Sequence, residues 1–149
     1  MQHLETGNVH IVRLDRGEEI VGELTRFCRE RKIALGVVTG IGATDRATIG
    51  CFHAAERRYD KTEITGDHEI LHLAGNITRL NGEPYLHLHV TLADGAYRAR
   101  GGHLDAAVVS ATAEIVITVL DGTCERAMDD AVGLTLMRPG SGLHEHPAR

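Results

Sequence analysis

Between Tyr85 and Leu104 the chain places three histidines, His87, His89 and His103, in a segment that reads as two strands joined by a turn. Residues two apart on a strand point to one face, so His87 and His89 aim at a common point. A third imidazole can join them only from the next strand. A reversal at Asp94-Gly95 through a three-residue loop sets position 103 opposite 87, on that same face. A two-residue turn sets 102 opposite 87 instead, and His103 then needs a one-residue bulge, which Gly101-Gly102 permits. Three neutral imidazoles with an open fourth position form a common catalytic zinc arrangement. The competing reading is structural. With 10 histidines in 149 residues, some share a strand face by chance, and these can pack or hydrogen-bond at a subunit interface and bind nothing.

The rest of the composition narrows the function classes. One domain is expected at this length, 1–137, followed by a loose tail over 138–149 that carries a second His-x-His at His144 and His146. Aromatics are 3% with no Trp, which argues against a stacking surface for single-stranded nucleic acid. The formal net charge of −5 has the wrong sign for a chain that wraps phosphate unaided. Cys28, Cys51 and Cys124 are odd in number and unpaired in spacing, so they read as reduced thiols of a cytoplasmic protein. The longest apolar run, around Ala113 to Leu120, is too short to span a bilayer, and no membrane role is expected.

Taken in order, Val9 to Leu14 alternates as a strand. Gly17 to Lys32 is an amphipathic helix with its stripe at Ile20, Val21, Leu24, Phe27 and Cys28, acidic at its start and basic at its end. Ile33 to Gly42 reads as a buried strand running into a tight turn, its glycines allowing close approach to a neighbouring strand. Ala47 to Phe52 is a further strand and His53 to Lys61 a solvated loop or hairpin end. Asn81-Gly82 predicts a hairpin between strands at 69–77 and 85–92. Ala113 to Val119 predicts a central strand and Leu134 to Met137 a short last one. Glu114, inside an apolar run, either faces outward or is a buried carboxylate that holds a ligand imidazole or acts as a base.

Four ordered blocks resemble the plants-and-prokaryotes conserved (PPC) domain. They are the Gly17-Glu-Glu-Ile20 helix, Val38-Thr-Gly-Ile-Gly-Ala43, Glu69-Ile-Leu-His-Leu-Ala-Gly-Asn-Ile77, and Leu86-His-Leu-His-Val90 with Gly101-Gly-His-Leu104 and Thr112-Ala-Glu-Ile-Val116. The resemblance spans roughly residues 8 to 137. It implies an α+β fold, a mostly antiparallel sheet with one main helix, assembled as a homotrimer. Plant members follow AT-hooks and use a Gly-Arg-Phe-Glu-Ile-Leu segment for partners; here the segment is Gly66-Asp-His-Glu-Ile-Leu71, with Asp67 and His68 replacing Arg and Phe. Arg98-Ala-Arg-Gly-Gly102 lacks the AT-hook pattern. The fold is also similar to that of acetolactate decarboxylase, a zinc enzyme that holds its metal by a His-x-His pair and a later His. His87, His89 and His103 reproduce that set with a longer spacing, and this likeness favours zinc over iron, copper or nickel.

Two functions follow as expectations. The first is a trimeric DNA-binding or regulatory module with a three-His metal site, its trimer gathering Arg26, Arg29, Arg31, Arg57, Arg58 and Lys61 into one positive face. The second is a zinc enzyme acting on a keto or hydroxy acid. Glu114 or Glu69 would then transfer protons and Arg98 or Arg100 hold a substrate carboxylate.

Overall fold

The computed structural model describes residues 1–140; the second His-x-His at His144 and His146, and most of the expected tail, lie outside them. The chain runs β1 (Gln2–Thr6), β2 (Val9–Asp15), α1 (Ile20–Glu30), β3 (Gly36–His53), β4 (Arg58–Leu80), β5 (Glu83–Asp94), β6 (Ala99–Val119), β7 (Glu125–Asp129) and β8 (Leu134–Arg138). It is mostly β-sheet with one short helix, so the helix is a smaller part of the α+β mixture than the sequence reading implies.

Eight strands form one sheet in the order β1-β2-β6-β3-β4-β7-β8, and β5 pairs with both β4 and β6. Strands β3, β4, β5 and β6 therefore close a ring. Helix α1 packs on β5 and β6, burying Ile20, Leu24, Phe27 and Cys28 with Leu14, Leu73, Ile77, Leu88, Leu92, Ile115 and Ile117. Each such side chain contributes about 1.5–3 kcal/mol by leaving water. Burial pushes the Cys28 thiol up to about 12, so it stays an inert protonated group.

Local chemistry sets the element ends. Glu19 caps α1 by accepting from the backbone N–H groups of Val21 and Gly22 at 3.0 and 2.6 Å, and it also accepts from Ala107 on β6 at 3.1 Å. The helix ends at Glu30, short of the Lys32 boundary the sequence places there, and Lys32 follows it at φ 55°. Asn81 and Gly82, at φ 53° and 84°, make the expected two-residue hairpin turn.

One expectation is corrected. No tight turn occurs at Gly40–Gly42; β3 continues through it as a strand of 18 residues. Register shifts between Gly40 and Gly42 and between Thr44 and Arg46 absorb the bend instead. The close approach expected of these glycines is present: a Cβ on Gly42 would lie 2.3 Å from the Thr112 carbonyl oxygen.

Among the described residues no helix is long and apolar enough to cross a membrane.

Candidate metal centre

The histidines converge through the β5–β6 pairing. The loop after β5 has three residues, as the first sequence alternative requires, but it is closed by Asp94 and Arg98. That centres the reversal one residue later, so His103 pairs with His89 rather than with His87. Side-chain alternation still leaves all three on one face, and no bulge at Gly101-Gly102 is needed. One ligand nitrogen from each imidazole lies within 4.8 Å of the others. Ring centroids are 5.2 Å apart for His87 and His89, 5.1 Å for His87 and His103, and 5.5 Å for His89 and His103. Zinc–imidazole bonds of about 2.0–2.1 Å are reached from there by small side-chain rotations.

The surroundings favour the neutral, ligating form of His87 and His103. Burial, then the nearby Arg126 cation, lowers His87 from its usual 6.5 to about 4. Burial also lowers His103, against the opposing pull of Asp105. Among the described residues the donor set is three imidazoles with no cysteine or carboxylate in the cluster, which fits a borderline divalent metal and leaves a coordination position open.

This protonation difference has a stability consequence. The unfolded chain takes up the His87 proton near 6.5 and the folded chain only near 4, so the folded state holds fewer protons across that window. Stability of the metal-free protein should therefore fall as pH drops from 6.5 toward 4. Urea midpoints measured at intervals through that range check this, and His87→Gln should flatten the profile.

Several neighbours carry no motif in the sequence. Arg126 on β7 is buried, and its Nη2 donates to Asn76 Oδ1 at 3.0 Å and to His87 Nδ1 at 3.3 Å. Its guanidinium lies over the Tyr85 ring, 4.8 Å from the centroid. On the other side Tyr59 sets its ring edge-on to His103 at 6.0 Å and donates to Asp105 at 3.2 Å. Burial and Asp105 push the Tyr59 phenol up to about 12. Beneath His87, Gly75 lets β4 close on β5, since a Cβ there would fall 1.9 Å from the His87 carbonyl oxygen. Gly75→Ala should cost about 1–3 kcal/mol in urea unfolding and weaken metal uptake, because β5 must move.

The other residues marked in the sequence lie elsewhere in the chain. Glu114 is exposed and pairs across strands with Arg13 and Ile41; it sits eleven positions from His103 on β6, on the order of 30 Å along the strand. Its outward side chain is the first of the two readings given to it. Glu69 pairs with Ala93, about 13 Å along β5 from His89. Both carboxylates line a cavity of about 490 Å³ with Ile41 and Leu71. Arg98 is held by Asp94 at 2.8 Å, and that carboxyl is lowered to about 2 chiefly by the Arg98 backbone N–H and then its side chain. Arg100, three positions before His103, lines a separate cavity with Glu63, Asp67 and Asp94. A single subunit thus brings the three histidines together and leaves Glu69, Glu114, Arg98 and Arg100 outside the cluster.

A ring of long antiparallel strands with one capping helix and an open three-imidazole cluster defines a small metal-competent β-fold. The chain belongs to the Plants and Prokaryotes Conserved (PCC) domain family, whose model matches residues 1–121. It is 33% identical to a protein from Bacteroides thetaiotaomicron described as a candidate DNA-binding protein, at TM-score 0.90 over 92% of this chain and 96% of that one. It is 34% identical to a metal-containing protein from Archaeoglobus fulgidus, at TM-score 0.82 over 91% and 96% of the two chains. A plant- and prokaryote-conserved protein of Pyrococcus horikoshii is 30% identical, at TM-score 0.82 over 89% and 92%. Among curated proteins it matches the bifunctional protein GlmU of Synechococcus, 33% identical over 140 residues, which is 89% of this chain and 21% of that protein. The chain thus spans about a fifth of the length of the curated relatives it matches.

Proposed function

We propose that this chain is a homotrimeric PCC-domain module that binds one zinc ion per subunit through His87, His89 and His103 and serves a regulatory role in the cytoplasm. The convergence of three imidazoles within 4.8 Å carries this reading. The description of the Archaeoglobus relative as metal-containing supports it. Elemental analysis of protein made without a histidine tag or added metal tests it: near one zinc per chain is expected, and a metal-free protein ends the reading.

DNA is proposed as the partner of the assembled trimer, on the description of the Bacteroides relative. The single chain gives this a condition. Arg26, Arg29, Arg31, Arg58 and Lys61 are all engaged by carboxylates of their own chain, and Arg57 donates to the Ala131 carbonyl. Exposed pairs of this kind are worth about 0–1 kcal/mol, so a phosphate can displace them, but only several cations together yield useful affinity. Binding should therefore fall steeply with salt, and a flat salt dependence removes phosphate contact as its basis.

The open coordination position also supports the enzyme reading, in which the metal would polarise a carbonyl or a bound water. The proton-transfer groups expected for it, Glu69 and Glu114, would then have to come from another subunit.

A further inference from the structure

We infer that the three-histidine centre is built to take a small oxyanion, a carboxylate or phosphate group, which Arg126 holds beside the metal ion; this rests on the metal reading above. Arg126 is 8% exposed, and among the described residues no carboxylate pairs with it. Its hydrogen bonds all go to neutral acceptors: Thr78 Oγ1 at 2.7 Å, Asn76 Oδ1 at 3.0 Å, the Thr135 carbonyl at 3.2 Å and His87 Nδ1 at 3.3 Å. A buried charge is ordinarily paired. The exposed Lys61 beside the cluster is paired with Asp105 at 2.7 Å, whereas the buried Arg126 has only these neutral acceptors and the Tyr85 ring and no anion.

Loading the site makes the imbalance larger. A divalent ion on three neutral ligands adds two positive charges next to the guanidinium. The contact between Arg126 and His87 must also change, because a neutral imidazole has one lone pair. If that lone pair accepts from Arg126 it cannot bind a metal, and if it binds a metal the Nη2 hydrogen is released while still directed at the site. An anion that ligates the metal and accepts that hydrogen balances the charge and satisfies the donor together.

Cobalt(II) as a spectroscopic stand-in for zinc separates this inference from the metal reading. Wild-type protein, Arg126→Gln and Arg126→Lys are titrated with cobalt(II) chloride, then with acetate and, separately, inorganic phosphate, following the visible absorption of the bound ion. The wild type should bind cobalt and change its spectrum with at least one of the two anions, which also tells carboxylate from phosphate. Arg126→Gln should bind cobalt at least as tightly, having lost a competitor for His87, and weaken the anion at least tenfold. Arg126→Lys keeps the charge without the planar fork and should weaken it about tenfold, a test that stands should the glutamine variant not fold. A wild-type spectrum indifferent to both anions, or an unchanged anion affinity in a folded variant, overturns the inference and leaves the metal reading intact. Absence of cobalt binding before any anion is added overturns both.

Discussion

Replacing His87 and His89 together by alanine should reduce the bound metal from near one per chain to none. The two residues lie on one strand, so their loss removes two of three ligands and leaves His103 alone on β6. One imidazole does not hold a divalent ion against dissociation, and structural zinc affinity comes from ligands acting together. Excess metal should raise the thermal midpoint of the wild type, since a ligand that binds only the folded state stabilises it by about 4 kcal/mol at a thousand times its dissociation constant. The double variant should show no such rise. Its metal-free stability should change little, or improve at mildly acidic pH, because it no longer carries the buried His87 that the unfolded chain protonates more readily. Elemental analysis and paired melts with and without added zinc check these outcomes. A variant that keeps full occupancy would place the metal elsewhere and remove the three-histidine centre as its ligand set.

The His-x-His pair, the hairpin at Asn81-Gly82 and the helix were legible because each depends on residues a few positions apart. Strand alternation alone puts His87 and His89 on one face, and Asn-Gly alone supplies the two positive φ angles its turn requires. The partner of His103 was not legible to the residue. It turns on which pair closes the loop, and Asp94 closes it by accepting from the Ala96 and Arg98 backbone N–H groups and the Arg98 side chain. The sequence marked Arg98 as an anion-binding group; in this structure its side chain donates to Asp94 and helps close the turn.

Longer-range features left weaker traces. Strands β3, β4 and β6 run to 18, 23 and 21 residues, and the sequence reading broke each of them where glycines or charged residues interrupt the alternation. The break in β3 falls at the bulges between Gly40 and Gly42 and between Thr44 and Arg46, which shift the pattern without ending the strand. Strand β1 is exposed at every position, so no apolar pattern could announce it. Arg126 stands 39 residues from His87 and reaches it only because the β7–β8 hairpin docks beside the end of β4. Its one sequence signal is a lone arginine in a short polar strand, which no local rule distinguishes from a solvated charge.

Changing Ile41 to glutamate should take the proposed trimer to a monomer in light scattering. On β3 the side chains alternate between the core, where Val38 is fully buried, and the opposite face, where Val37 and Ile41 are 48% and 57% exposed. That face continues over β2 with Ile11 and reaches Leu71 on β4, 44% and 52% exposed. Apolar residues on both faces of a sheet call for cover on both, and the helix covers only one. In the proposed trimer a partner subunit lies on this second face. Symmetry then repeats the substitution three times, burying three unpaired carboxylates where isoleucines packed. Each costs several kcal/mol, and about 1.4 kcal/mol is a tenfold change in dissociation, so the trimer should weaken by a thousandfold or more. Circular dichroism should be unchanged, because Ile41 belongs to no part of the buried core. A trimer that survives the substitution puts the interface on another face; a wild-type protein of monomeric mass ends the trimer reading, and the positive surface that DNA binding requires goes with it.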